Sequence, residues 1–255
     1  MWAMPEMRNV ICMKWGTAYS PQYVNVLFNA VRDRLSDPFR FICFTDDGTE
    51  LLDGIEVYDI PDMKLPQSAF QSGGWPKLAI FAKELYDIRG RCLFIDLDTL
   101  IVGKLDRYFD DAPGIRVIKT ATPRHLFWKK KVTFGGTGVI GFSIGTEAQI
   151  YNSFMGARQT AISDYKNEQD YACAFASKVS YWDGKSVALF KHDICAPGKL
   201  RYLLRVPKPA AETSIVAFHG YPNPSDLIDK SHGHNRLTPT GGYVDWVDAY
   251  WKAYS

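Results

Sequence analysis

The stretch that decides how this chain is interpreted is residues 91–102, RCLFIDLDTLIV, an apolar run that contains two aspartates one residue apart. Apolar runs of this kind are typical of buried strands, where an unpaired carboxylate is costly. On an extended chain, residues two apart point the same way. We therefore expect a strand over 91–96, with Asp96 at its carboxyl end and the side chains of Asp96 and Asp98 directed to one side.

The first half of the chain alternates strand and helix patterns around this stretch. Strands are predicted at residues 9–15, 39–44 and 55–60, and helices are predicted to begin at Pro21 and Pro76. This alternation indicates an α/β fold with a mostly parallel central sheet. Ligands of such sheets bind beyond the carboxyl ends of the strands, where both aspartates are expected to lie.

The second half is less regular, and no flexible linker divides it from the first. The predicted strands are 115–119, 138–144 and 214–219, and the predicted helices are 147–158, 168–177 and 243–254. We expect one domain over residues 8–255, in which 225–255 form a C-terminal lid and a docking helix. Residues 1–7 are interpreted as a disordered leader.

The composition argues against several classes of protein. A net charge of +2 gives no general attraction to nucleic acid or to acidic membranes. No run of about 18 apolar residues is present, so no membrane-spanning helix is expected. The five cysteines are odd in number, form no CxxC motif and fall partly in predicted strands, which is typical of reduced thiols. We expect a cytoplasmic protein with at most peripheral membrane contact.

Two adjacent carboxylates in an apolar setting repel each other unless a cation lies between them. Oxygen ligands suit Mg²⁺ or Mn²⁺, which keep water and substrate phosphates as further ligands. One alternative is a capped turn in which Asp98 bonds to local backbone. Another is a phosphatase of the haloacid-dehalogenase type, whose pattern resembles DxDxT. In this chain Thr99 follows Asp98 directly, one residue too early for that pattern.

The segment CLFIDLDTLIVGKLD, residues 92–106, resembles the metal-binding segment of GT-A glycosyltransferases. Four further stretches resemble, in the same order, motifs of the retaining family that contains glycogenin and bacterial lipopolysaccharide galactosyltransferases. They are WPKLAIF at 75–81, GGTGVIGF at 135–142, NEQDYACAF at 167–175 and FHGYPNP at 218–224.

The resemblance implies a GT-A fold, with a mixed, mostly parallel central sheet flanked by helices. It also implies transfer of a sugar, with retention of configuration, from a nucleotide-diphosphate sugar that we expect to be UDP-linked. The expected acceptor is a glycan or a lipid-linked glycan, and the expected cofactor is Mn²⁺ or Mg²⁺.

Site residues follow from the matched motifs. The resemblance makes Asp96, Asp98 and His219 the expected metal ligands. The expected donor contacts are Trp15, Gly16, Thr17, Tyr19, Asp46, Asp47, Lys77, Asp96 and Gly220. The residues expected near the reacting carbon are Glu168, Gln169 and Asp170.

The chain departs from the family pattern at three places. His219 abuts Gly220, Glu168 stands where the family has an aspartate, and Asn223 stands where it has a phosphate-binding lysine. Another basic residue is therefore expected to neutralise the diphosphate. The candidates are Lys199, Arg201, Lys230, His232, His234 and Arg236, of which the last four belong to a predicted lid over 230–236. A protein that keeps the fold and binds a nucleotide sugar without catalysis is a further alternative.

Overall fold

A computed structural model describes residues 7–71, 74–120, 135–202, 204–228 and 242–255. The strands are β1 (Arg8–Lys14), β2 (Phe39–Thr45), β3 (Ile55–Tyr58), β4 (Arg91–Ile95), β5 (Thr99–Ile101), β6 (Ile115–Lys119), β7 (Gly135–Ser143), β8 (Val179–Tyr181), β9 (Val187–Leu189) and β10 (Ile215–Ala217). The α-helices are α1 (Pro21–Arg34), α2 (Gln67–Gln71), α3 (Ala148–Gly156), α4 (Arg158–Asp164), α5 (Glu168–Phe175) and α6 (Asp245–Tyr254).

A central sheet of seven strands has the order β3-β2-β1-β4-β7-β6-β8. Strands β3, β2, β1 and β4 run parallel, whereas β7 is antiparallel to both β4 and β6. The predicted mixed, mostly parallel sheet is therefore confirmed. Because β7 runs the other way, its first residues lie at the edge where β1, β2 and β4 end. Side chains from four strands thus meet at one edge.

Apolar side chains cover both faces of this sheet, which explains why its central strands read as continuous apolar runs. On one face, α1 packs Val24, Leu27 and Val31 onto the sheet. On the other face, a 3-10 helix (Trp75–Phe81), α3 and α5 form a second core. All five cysteines are buried, and no disulfide joins them in the described part of the chain.

A second sheet has the order β5-β10-β9 and begins directly after Asp98. Strand β5 pairs antiparallel with β10, and Thr99 lies opposite Ala217. The N–H of Phe218 donates to the carbonyl of Asp98 at 3.3 Å. This pairing brings the segment after β10, which begins with Phe218 and His219, back to the aspartate pair.

Several predicted elements differ from the structure. The helix predicted from Pro76 is a 3-10 helix that ends at Phe81, where Ala82 takes up a non-helical backbone with φ −55° and ψ 145°. Strand β7 begins at Gly135 and not at residue 138. Strands β5, β8 and β9 were not predicted, since three residues are too short to show alternation. Residues 1–6 and 229–241 are outside the described part of the chain, so most of the predicted leader and the lid at 230–236 are too.

The C-terminal helix α6 packs against the body of the protein. Its Trp251 ring meets the Tyr23 ring edge-on at 4.7 Å, and its Tyr250 hydroxyl accepts a hydrogen bond from the N–H of Ile101 at 3.1 Å. The aromatic stripe of α6 is thus used for docking. Among the helices of the described residues, none is long and apolar enough to cross a bilayer.

Candidate functional site

The carboxyl edge of the central sheet gathers polar groups from consecutive strands. Gly16, two residues beyond β1, donates its N–H to the Asp46 carboxylate beyond β2 at 2.8 Å. Asp96 follows β4, and its N–H donates to the carbonyl of Gly138 in β7 at 2.8 Å. The expected clustering of these segments at one edge is therefore present.

Lys77 lies at the centre of the site, between two carboxylates. Its ammonium nitrogen is 2.7 Å from Asp96 Oδ2 and 3.6 Å from Glu168 Oε1. The Lys77 side chain is 14% exposed, so these contacts are partly shielded from water. Burial lowers the pKa of Lys77, but the charges of Asp96 and Glu168 outweigh it and raise the pKa. The ammonium stays charged and holds both carboxylates in place.

Glu168 is fixed by the start of α5. Asn167 caps this helix, and its side chain accepts a hydrogen bond from the N–H of Asp170 at 3.0 Å. The Glu168 side chain is 3% exposed, and its Oε1 accepts a hydrogen bond from the Thr137 hydroxyl at 2.9 Å. Burial raises its pKa, and Lys77 and Thr137 partly oppose this. The carboxylate is therefore held in one orientation.

Gly74 leaves the space that Glu168 occupies. Its backbone has φ +63°, and a Cβ built there would lie 2.8–2.9 Å from the carboxylate atoms of Glu168. A side chain at this position is disfavoured both by the left-handed backbone and by the close approach. The glycine before Trp75 is thus a component of the site.

Asp98 is the most perturbed carboxylate of the site. It is 8% exposed, and burial together with the charge of Asp96 raises its pKa to about 7. Lys77 and a hydrogen-bonding interaction with the Tyr19 hydroxyl oppose this shift. Asp96 and Asp98 are thus two mutually repelling carboxylates, which are the residues of this edge that could hold a cation.

His219 lies beside the aspartate segment but stacks on another histidine. Its ring is 5.1 Å from that of His192 at an interplanar angle of 12°. Desolvation of its ring and the charges of Lys191 and His192 lower the pKa of His219 to about 4, so its imidazole is neutral at pH 7 and can act as a ligand. Within the described residues, no three His, Cys, Asp or Glu side chains are already grouped as a metal site.

Other predicted residues have varied surroundings. The Trp15 indole N–H donates to the carbonyl of Phe70 at 2.7 Å, which fixes that ring on α2. Asp47 accepts hydrogen bonds from the N–H and hydroxyl of Thr49 at 2.9 and 2.8 Å, so its side chain closes a local turn. The remaining predicted residues, Thr17, Gln169, Asp170 and Gly220, are exposed or half-buried.

Three site components were not assigned roles from the sequence. Thr137 is a buried polar residue in an otherwise apolar strand, and this pattern could have indicated it. Gly74 belongs to the sequence Gly-Gly-Trp-Pro, which indicates a turn with unusual backbone angles. The sequence does not indicate which side chain lies against this glycine. Lys191 follows a strand too short to predict, so no sequence signal placed it near His219.

The fold is shared with solved glycosyltransferases. The galactosyltransferase LgtC, solved with donor and acceptor sugar analogs, superposes with a TM-score of 0.65 at 11% identity, covering 97% of this chain and 96% of LgtC. The glycosyltransferase GlyE of Streptococcus pneumoniae TIGR4 gives a TM-score of 0.60 at 11% identity, covering 96% of this chain and 60% of GlyE. The bifunctional glycosyltransferase WbbM gives 0.57 at 10% identity, covering 88% of this chain and 48% of WbbM.

The chain therefore has the GT-A fold predicted from its motifs. At these identities the likeness establishes the fold alone. No protein-family model matches the chain, and no curated protein matches it.

Proposed function

We propose that this protein is a metal-dependent glycosyltransferase that uses a nucleotide-diphosphate sugar, UDP-linked, as its donor. The observation that carries the proposal is the juxtaposition of Asp96 and Asp98 at the carboxyl edge of a GT-A sheet, with Lys77 and Glu168 against them. This arrangement places a third carboxylate, that of the buried Glu168, beside a pair of aspartates that can bind a cation. A diphosphate and the sugar attached to it require such neighbouring subsites.

The donor set fits a divalent cation. Asp96 and Asp98 would supply oxygen ligands, and the neutral imidazole of His219, which is stacked on His192, would supply a nitrogen ligand. A mixed oxygen and nitrogen set favours Mn²⁺ over Mg²⁺. When bound, the cation stabilises negative charge on the diphosphate without proton transfer.

The remaining residues of the site act on the nucleotide and the sugar. The proposed base and ribose subsite lies at the carboxyl ends of β1 and β2. It consists of Trp15, Gly16, Thr17, Tyr19 and Asp46. In this subsite Tyr19 also orients Asp98.

The sugar subsite lies at the start of α5. Lys77 holds Asp96 and Glu168 in fixed positions. Glu168 is the carboxylate placed near the reacting carbon, with Gln169 and Asp170 beside it in the first turn. Retention of configuration is part of the proposal.

The acceptor is proposed to be a glycan or a lipid-linked glycan. We also propose a cytoplasmic location with at most peripheral contact with a membrane, since the five cysteines, all within the described residues, form no disulfide.

The test is the release of UDP from a panel of UDP-sugars in the presence of MnCl₂ or EDTA. We expect slow, Mn²⁺-dependent release with at least one sugar, and faster release once an acceptor glycan is added. In Glu168→Gln we expect turnover to fall by about a hundredfold or more, while UDP affinity stays within a few-fold of the wild type.

Two results would contradict the proposal. Phosphate release from simple monoesters, with no UDP release, would support the phosphatase alternative. UDP binding without turnover on any sugar or acceptor would support a binding protein that keeps the fold.

A further inference from the structure

Negative charge is in excess at the carboxyl edge of the central sheet, where the donor is proposed to bind. Three carboxylates, Asp96, Asp98 and Glu168, face this edge, and Lys77 is already shared by two of them. A nucleoside diphosphate brings further negative charge. The proposed function, on which this inference rests, therefore needs a cationic side chain that is not already paired with a carboxylate.

Position 223 does not supply it. Asn223 is neutral and begins the 3-10 helix Pro224–Leu227 through a capping box with Asp226. The N–H of Asn223 donates to Asp226 Oδ2 at 2.7 Å, and the Asn223 side chain accepts from the N–H of Asp226. This side chain serves the local backbone and carries no charge for a phosphate.

Lys191 lies beside the segment that follows β10 and carries His219. Strand β9 runs parallel to β10, with Leu189 opposite Ala217, so the residues that follow the two strands leave the small sheet side by side. The chain after β9 forms a single π-helical turn (Phe190–Ile194) that presents Lys191 beside His219. The rings of Phe190 and Phe218 stack at 4.4 Å and hold the two segments together.

The ammonium group of Lys191 has a weak partner. It donates to the carbonyl of Tyr221 at 2.9 Å and lies 4.0 Å from the point where a Cβ on Gly220 would be. In the described part of the chain, no carboxylate lies within ion-pair distance of it. A backbone carbonyl is a neutral acceptor, and exchanging it for a phosphate oxygen yields a charge-assisted hydrogen bond.

The surroundings of Lys191 carry positive charge. Burial and the nearby charge of Arg201 lower the pKa of Lys191, whereas Cys195 and Asp98 act in the opposite direction. The site thus has a negative side, at Asp96 and Asp98, and a positive side, at Lys191 and Arg201. A divalent cation bound to a diphosphate is complementary to this arrangement, since the cation can face the aspartates while the phosphates face Lys191 and Arg201.

We propose that Lys191 binds the diphosphate of the donor and stabilises it as the leaving group. During transfer the acceptor oxygen bonds to the anomeric carbon, and the bond from that carbon to the β-phosphate oxygen breaks. The electron pair of that bond stays on the phosphate oxygen, and the acceptor hydroxyl gives its proton to the departing diphosphate. Lys191 moves no proton and acts through its charge.

The test measures the affinity of UDP and of UMP, in MnCl₂, for four variants by calorimetry. Lys191→Met should weaken UDP binding by at least about tenfold and leave UMP binding within about twofold, because UMP lacks the terminal phosphate. Lys191→Arg should recover most of the UDP affinity. Lys185→Met is the matched control, because Lys185 is exposed and precedes the first residue of β9. This variant should bind both nucleotides as the wild type does. Arg201→Met tests the neighbouring cation.

Each other outcome overturns the proposal. Wild-type UDP affinity in a folded Lys191→Met protein removes Lys191 from the site but leaves the proposed function standing. Equal loss of UDP and UMP binding shows a structural role for Lys191. Loss in Arg201→Met alone assigns the role to Arg201. A wild-type protein that binds neither nucleotide overturns the proposed function and this inference together.

Discussion

At the scale of single residues, the site depends on how Glu168 is held. Its carboxylate contacts the Thr137 hydroxyl and the Lys77 ammonium, and the absence of a side chain at Gly74 leaves room for it. Each of these neighbours comes from a different element of the fold. The orientation of Glu168 is therefore a property of the folded chain and not of its own helix.

Gly74→Ala should separate this positioning role from stability. Alanine at φ +63° costs roughly 1–2 kcal/mol of strain, and its Cβ would displace the Glu168 carboxylate. We expect turnover of the UDP-sugar to fall by on the order of a hundredfold, since a misplacement of about 1 Å has effects of that size.

Gly198→Ala is the matched control, because Gly198 has φ +58° and a Cβ there would meet nothing within 4 Å. It should lose similar stability in thermal unfolding and keep its turnover. If Gly74→Ala turned over at the wild-type rate, the claim that this glycine makes room for Glu168 would be wrong.

The sequence predicted some of these residues and not others, for physical reasons. Asp96 and Asp98 are visible because charge in an apolar strand is costly, and Lys77 and Glu168 are visible because they lie in motif-like stretches. Lys191 lies neither in an apolar strand nor in a motif-like stretch, so the sequence did not predict its role. Its place depends on the pairing of β9 with β10, which are far apart in the sequence and short.

At the scale of elements, the small sheet β5-β10-β9 connects the aspartate pair to the segment around His219 and Lys191. Strand β5 follows Asp98 at once, and β10 ends two residues before His219. Helix α6 supports this sheet, because the Tyr250 hydroxyl accepts the N–H of Ile101 in β5. The main strands were predictable from long apolar runs, whereas this sheet of three-residue strands forms only through tertiary pairing.

Tyr250→Phe tests whether α6 supports β5. The substitution keeps the ring but leaves the buried N–H of Ile101 without its partner, which should cost about 1–3 kcal/mol in the free energy of unfolding. Urea unfolding measures this loss. Tyr181→Phe, on the partly exposed strand β8, is the control and should stay within about 0.5 kcal/mol of the wild type. Equal stability of the two variants would contradict the supporting role of α6.

At the scale of the whole molecule, stability and ligand binding oppose each other at Asp98. Its pKa rises from 3.8 in the unfolded chain to about 7 in the folded protein. The folded state therefore holds the proton more tightly, and stability falls as the pH rises from about 4 to about 7. Asp98→Asn removes this cost. Without metal, at pH 8, the variant should be more stable than the wild type by up to about 4 kcal/mol, and the difference should vanish near pH 4.

The same variant provides the most direct test of the claim that Asp96 and Asp98 hold a cation and a nucleoside diphosphate. The measurement is the thermal unfolding midpoint at pH 8, in EDTA and in MnCl₂ with saturating UDP. We predict that Asp98→Asn melts above the wild type in EDTA, and that Mn²⁺ with UDP raises the wild-type midpoint by at least about 5 °C but leaves the variant unchanged. An equal rise in both proteins, or no rise in the wild type, would contradict the account.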